Sequence, residues 1–248
     1  MATYLLVHGA WHGGWCWRRV AERLRAAGHI VFTPTLTGLG ERAHLANPDT
    51  DLDCHIDDVL GLIDMEEIDD AILCGHSYGG QVITPVLDQR IDKFRAAVWL
   101  DAFVPQDGQS LMDGWPPERA QHVREEVVRS GDGWKIPPMS PDYFGVMDED
   151  DARWITRRCV PQPLKTFSQP AHLTGAWETV AKKMYLLAEL HPNSSFDRFS
   201  IPLSEKPDWD VRSVASGHDV MVDTPDLLTS ILLELAEEPQ RPPFGAPK

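Results

Sequence analysis

No apolar run in the 248-residue sequence approaches the ~20 residues that a membrane-spanning helix needs, so no membrane partner is expected. No charged leader with an apolar centre opens the chain either. Met1-Ala2-Thr3-Tyr4 runs straight into a strand-like stretch, so no signal peptide is expected, and the cytoplasm is the expected location. Cysteine is scarce: Cys16, Cys54, Cys74 and Cys159 are scattered without CxxC spacing, which argues against a disulfide framework and a zinc site. Cys74 lies in a buried-strand run and is expected to be an inert small apolar residue. Basic residues are outnumbered, 23 Lys and Arg against 38 Asp and Glu, for a net charge of −15. A protein that grips phosphates needs the opposite sign, so nucleic acid is not an expected partner. Histidines and carboxylates nowhere share metal-ligand spacing, and neither a metal nor a cofactor is expected.

What is present is ordinary in bulk and specific in detail. An apolar content of 42% and a charged content of 25% suit a soluble globular protein, and a chain of this length buries a large core without covalent staples. The most informative stretch is Ala71-Ile72-Leu73-Cys74-Gly75-His76-Ser77-Tyr78-Gly79-Gly80. A short apolar run is followed by G-x-S-x-G and then by a helix-compatible segment, Gln81 to Leu87. Strand, sharp turn and helix form the context in which this pattern presents a nucleophilic serine. The glycines fit because a strained turn leaves no room for Cβ atoms two residues before or after that serine.

Taken in order, the chain alternates. Tyr4-Leu5-Leu6-Val7 reads as a strand buried on both faces, and Trp17 to Ala27 as an amphipathic helix with Val20 and Leu24 on one side. Ile30-Val31-Phe32 is the next strand, then a long loop Thr35 to Asp53, then a helix from His55 to Met65. After the Ser77 unit comes the strand Phe94 to Leu100, ending at Asp101-Ala102-Phe103-Val104-Pro105. Strands alternating with helices imply parallel βαβ units. The alternation stops between Gln106 and Ala181, a stretch that holds Trp115, Trp134, Trp154 and Trp177 and several methionines. It reads as a cap inserted between two sheet strands, with helices at Pro117 to Ser130, Asp148 to Arg158 and Thr174 to Ala181. Its Trp and Met content suits an apolar pocket roof. Met184 to Ala188 and Asp208 to Val214 resume the sheet, Thr224 to Leu235 closes it with an amphipathic helix, and residues 238–248 read as a disordered tail. The expected division is therefore a core of residues 1–105 and 182–237 with a cap of residues 106–181.

With these segments placed, the chain resembles the α/β-hydrolases, and among them the plant methylesterase and hydroxynitrile lyase group with its bacterial esterase relatives. The resemblance is carried by Leu6-Val7-His8-Gly9-Ala10-Trp11-His12-Gly13-Gly14-Trp15, by Gly75 to Gly80, by Trp99-Leu100-Asp101-Ala102-Phe103-Val104-Pro105, and by Gly217-His218-Asp219-Val220-Met221, in the family's order. It implies an α/β fold with a mostly parallel sheet of about six strands flanked by helices. It also implies a serine esterase acting on a small, partly apolar carboxylic ester. Ser77 is the expected nucleophile and His218, on a loop after the last strand, the expected base. The resemblance places the oxyanion hole at the amides of Ala10 and Tyr78. The helix N-terminus after Ser77 favours negative charge there on physical grounds too. His8 and His76 are expected to support the loops they sit in.

The acid departs from the family, most of whose members carry Asp just after the strand that here ends at Ala188. Here Glu189-Leu190-His191-Pro192 follows. Asp101, at the carboxyl end of the strand after the nucleophile strand, is the expected acid, Glu189 is the alternative, and a missing acid is a third option. Asp219 is too close in sequence to His218 to reach its ring. Trp11, Phe103, Trp115 and Trp134 are the expected substrate contacts. A cyanohydrin lyase is disfavoured because the resembled lyases carry a threonine at the position of Gly9 and a lysine at that of Asp219. A lactone or carbon–carbon bond hydrolase, a non-catalytic receptor and a homodimer all stay open.

Overall fold

The computed structural model describes residues 1–191 and 196–237; the tail expected at 238–248 lies outside them. Six strands form one parallel sheet: β1 (Thr3–Val7), β2 (Ile30–Phe32), β3 (Ala71–His76), β4 (Phe94–Leu100), β7 (Lys182–Ala188) and β8 (Trp209–Val214). Their spatial order is β2-β1-β3-β4-β7-β8, so β3, which leads into Ser77, lies at the centre beside β4. Every residue of β3 is buried, which is why the sequence there is an unbroken apolar run rather than an alternation. Helix α1 (Arg18–Ala26) packs on the closing helix α9 (Pro225–Glu234), and α2 (Leu52–Met65) on α3 (Gly79–Gln89). The Tyr4 hydroxyl donates to the Leu232 carbonyl at 2.9 Å and ties the first strand to the last helix. Among the described residues, no helix is long and apolar enough to cross a membrane.

Helix α2 begins three residues earlier than its apolar period suggests, because Asp51 caps it by accepting from the Cys54 amide at 3.0 Å. Between β4 and β7 lie α4 (Pro117–Ser130), α5 (Glu149–Thr156), α6 (Lys165–Ser168) and a short antiparallel pair, β5 (Lys135–Ile136) with β6 (Gln162–Pro163). The helix expected over Thr174 to Ala181 is a single 3-10 turn, Ala176–Thr179. Gly175 enters it at φ 91°. The Asp88 carboxylate of α3 also accepts from the amides of Thr174 (2.7 Å) and Trp177 (3.0 Å), which fixes the segment as a turn against α3. Two further helices, α7 (Asp197–Ser204) and α8 (Val220–Asp223), lie where no regular element was expected.

The join between β3 and α3 has no slack. A Cβ on Gly80 would lie 2.1 Å from the Phe103 carbonyl oxygen, a backbone atom that cannot move aside cheaply. Gly80→Ala is therefore expected to cost roughly 3 kcal/mol. That corresponds to a drop of about 10 °C in Tm for a chain of this size, readable by calorimetry.

Candidate active site

Ser77 sits between β3 and α3 with φ 53°. Its amide donates to Leu100 O (3.1 Å), and its carbonyl accepts from Gly80 N (3.0 Å) and Phe103 N (3.1 Å). The turn is thus clamped to the end of β4. Trp11 (φ 64°) and Asp101 (φ 41°) are also left-handed. Strain of this kind costs of order 1–3 kcal/mol per residue and gathers at functional sites; here three strained side chains come from three separate loops at one edge of the sheet.

Asp101 directly follows β4 and is wholly buried. Its Oδ2 accepts from His218 Nδ1 at 2.6 Å and from His191 Nδ1 at 3.1 Å, and its Oδ1 from the Ala188 amide at 3.2 Å. Burial works to raise its pKa, but the His191 and His218 hydrogen bonds outweigh it and hold the carboxyl below its ordinary range. An ionised carboxylate only accepts, so both Nδ1 atoms carry protons. Glu189 is exposed and bonded to the Ser213 hydroxyl instead. His218 lies in the loop between β8 and α8. Its amide donates to Phe144 O (2.7 Å) and its carbonyl accepts from His76 Nε2 (3.0 Å), while its ring stacks between Phe144 (17°) and Phe196 (11°).

The remaining histidines hold these loops. Burial pushes His8 down to about 3. As a neutral ring it donates to Gly9 O (2.7 Å) and accepts from Leu36 N (3.1 Å). Burial likewise drives His76 well below its ordinary value, with the charge of His218 adding to the effect. Asp219 cannot serve its neighbour's ring and serves two others: its carboxylate is 3.3 Å from His12 Nε2 and 3.8 Å from His76 Nε2. Burial opposes its ionisation, but the facing histidines hold it well below the carboxylate range. His12 in turn bonds Ala10 O through Nδ1 (2.7 Å), so this second acid braces the loop that carries the Ala10 amide. Trp11 is pinned from the opposite side. Its amide donates to Gln162 Oε1 (3.0 Å) and its indole to Ile136 O (3.1 Å).

Ser77, His218, Ala10 and Tyr78 line one narrow cavity of ≈ 40 Å³ together with Trp11, Phe103, Leu111, Trp115, Arg119, Tyr143, Phe144, Phe167, Phe196 and His191. A wider groove beside it shares Phe103 and Leu111. The Ala10 and Tyr78 amides donate to no backbone carbonyl among the described residues. Ser77 Oγ and His218 are not hydrogen-bonded to each other among these residues, a contact that often tightens only around substrate. Of the four expected substrate contacts, Trp11, Phe103 and Trp115 are on the wall and Trp134 is not. Trp134 stacks with Lys135, whose Nζ is 4.8 Å from the ring centre. Trp154 packs on Trp15 (4.8 Å), while Trp177 packs on Trp99 (5.7 Å) and lines the wider groove. Sequence reasoning passed over His191 and Gln162; the position of His191 just past the carboxyl end of a central strand was the available signal.

Asp101, His191 and His218 have ligand atoms within 4.8 Å of one another and, among the described residues, form the group with metal-like spacing. Their arrangement is two N–H donors on one carboxylate oxygen, with both Nδ1 protons directed at it.

Behind the His218 loop, burial first and then the charges of Asp219 and Asp151 push Asp223 up to about 7. Its proton is held in the folded state over a range where the unfolded chain has released it. This contribution is full below about pH 4 and fades as pH rises toward 7. The shift alone corresponds to about 4 kcal/mol, discounted to about 1–2 for partial exposure. Asp223→Asn should gain Tm relative to wild type by about 3–6 °C more at pH 8 than at pH 5. A variant-minus-wild-type difference that is the same at both pH values would contradict this.

A family model described as "Alpha/beta hydrolase family" matches residues 4–230. The carbendazim hydrolyzing esterase of Nocardioides sp. (strain SG-4G) is 45% identical over 242 residues, 95% of this chain and 100% of that one. Putative methylesterase 14 of Arabidopsis thaliana is 26% identical over 251 residues, 95% of this chain and 72% of that one. A solved extracellular alpha/beta-hydrolase from a Paenibacillus species superposes with a TM-score of 0.84 at 24% identity, covering 96% of this chain and 100% of the other, a likeness of fold.

Proposed function

Since the chain belongs to the alpha/beta hydrolase family and is a carboxylic ester hydrolase, we propose that it works through a covalent acyl-enzyme on Ser77, with His218 as base and Asp101 as its acid partner. His218 Nε2 takes the Ser77 hydroxyl proton as Oγ attacks the ester carbonyl. The carbonyl oxygen becomes an oxyanion and takes hydrogen bonds from the Ala10 and Tyr78 amides. The C–O bond breaks and His218 returns the proton to the departing alcohol. Water then gives a proton to the same ring, attacks the acyl carbon and releases the carboxylic acid and free Ser77. Asp101 fixes the His218 tautomer and offsets the charge the ring acquires.

The observation that carries this reading is the buried 2.6 Å contact between Asp101 and His218, with His218 lining a cavity beside Ser77, Ala10 and Tyr78. The aromatic wall favours a small, partly apolar ester, capped by the segment between β4 and β7. The relatives named as methylesterases favour a short alcohol as leaving group. The lyase alternative is further weakened because Asp219, at the position of the lyases' lysine, is a buried anion paired with His12. The test is a chain-length series of 4-nitrophenyl esters: turnover should start with a nitrophenol burst close to one equivalent of enzyme and fall off as the acyl chain outgrows the cavity. A linear onset and rates indifferent to chain length would count against the proposal.

A further inference from the structure

His191 follows β7, is 7% exposed and lines the cavity beside His218. Its Nδ1 proton goes to the same Asp101 oxygen that receives the His218 proton. The two rings are 4.4 Å apart and inclined by 31°. Both Nδ1 atoms reach one carboxylate oxygen, and both residues line the cavity. Among the described residues the Nε2 of His191 is buried without a hydrogen-bond partner, as are His76 Nδ1 and Asp219 Oδ1 nearby. A buried polar atom left unpaired is costly and rare enough to require a cause.

The Nδ1 proton of His191 goes to Asp101, and a ring with its one proton on Nδ1 presents a lone pair at Nε2, an acceptor. Arg119, also on the cavity wall, is a donor: it bonds the Tyr143 hydroxyl and lies 4.7 Å over Trp115.

We propose that His191 is a specificity residue whose Nε2 accepts a hydrogen bond from a hydroxyl or N–H group of the ester, so that the enzyme selects esters carrying such a donor. The proposal rests on the ester-hydrolase mechanism above. An ester without a donor shuts the bare nitrogen into an apolar contact, while one with a donor pairs it; discrimination of this type is worth about tenfold or more in kcat/KM.

The test compares 4-nitrophenyl esters of 3- and 4-hydroxyphenylacetic acid with their methoxy counterparts, which lack the donor. Wild type should favour the hydroxy ester about tenfold for at least one position. In His191→Asn the amide N–H can reach the Nδ1 position and keep Asp101 bonded, but no atom stands at Nε2; whatever happens to both esters alike, their ratio should fall close to one. In His191→Gln the carbonyl oxygen reaches toward the Nε2 position and should restore part of the ratio. Turnover by wild type with ratios near one for both pairs, or a ratio unchanged in His191→Asn, overturns the specificity proposal alone. No turnover of any ester overturns the hydrolase mechanism and this proposal with it.

Discussion

Ser77→Ala is expected to lower kcat on any ester the enzyme turns over by about 10⁴–10⁶-fold, the range seen when a residue of such a catalytic unit is removed. The protein should remain folded, since the backbone of residue 77, not its hydroxyl, bonds Leu100, Gly80 and Phe103. Ser77→Gly separates chemistry from structure. It should lose activity to the same extent and yet melt above wild type, because glycine relieves the φ of 53° at a saving of about 1 kcal/mol. Steady-state rates and thermal melts on the two variants check both halves. Residual activity within a hundredfold of wild type would mean that another group attacks the ester.

The second large effect is expected at Asp101. Asp101→Asn keeps the shape of the side chain and removes its charge. The amide cannot offset an imidazolium, and its N–H₂ can turn toward His218 Nδ1 and select the wrong tautomer. A loss of about 10³–10⁴-fold in kcat with KM little changed is expected. Glu189→Gln should stay within about twofold of wild type, a change well under 1 kcal/mol, because the Glu189 carboxylate is exposed and engaged with Ser213. The reverse pattern, a harmless Asp101→Asn and a crippled Glu189→Gln, would move the acid to Glu189 and require a rearranged β7 loop.

The parts of the fold legible in the sequence were those with strong local signals. The strand Phe94–Leu100 and the helix Pro117–Ser130 lie where apolar run, N-terminal proline and following glycine place them. The cluster around Ser77 was legible because each piece is a contiguous motif and the sheet order brings the motifs to one edge. What could not be read was side-chain direction outside regular structure. Trp115 and Trp134 are equivalent in composition. One faces the cavity and the other stacks on Lys135, because the short β5–β6 pairing decides which way the chain turns. The double use of Asp101 and the bracing of His12 by Asp219 depend on contacts between residues 90 and 207 positions apart in the chain, and no local pattern records them.

The most direct test of the acyl-enzyme mechanism is intact-protein and peptide mass spectrometry after rapid quench during turnover of a slowly deacylating ester. The mechanism predicts one acyl group per chain, located on the peptide containing Ser77, absent from Ser77→Ala and accumulating in Asp101→Asn more slowly than in wild type. Full turnover with no adduct, or an adduct on any other residue, would contradict it.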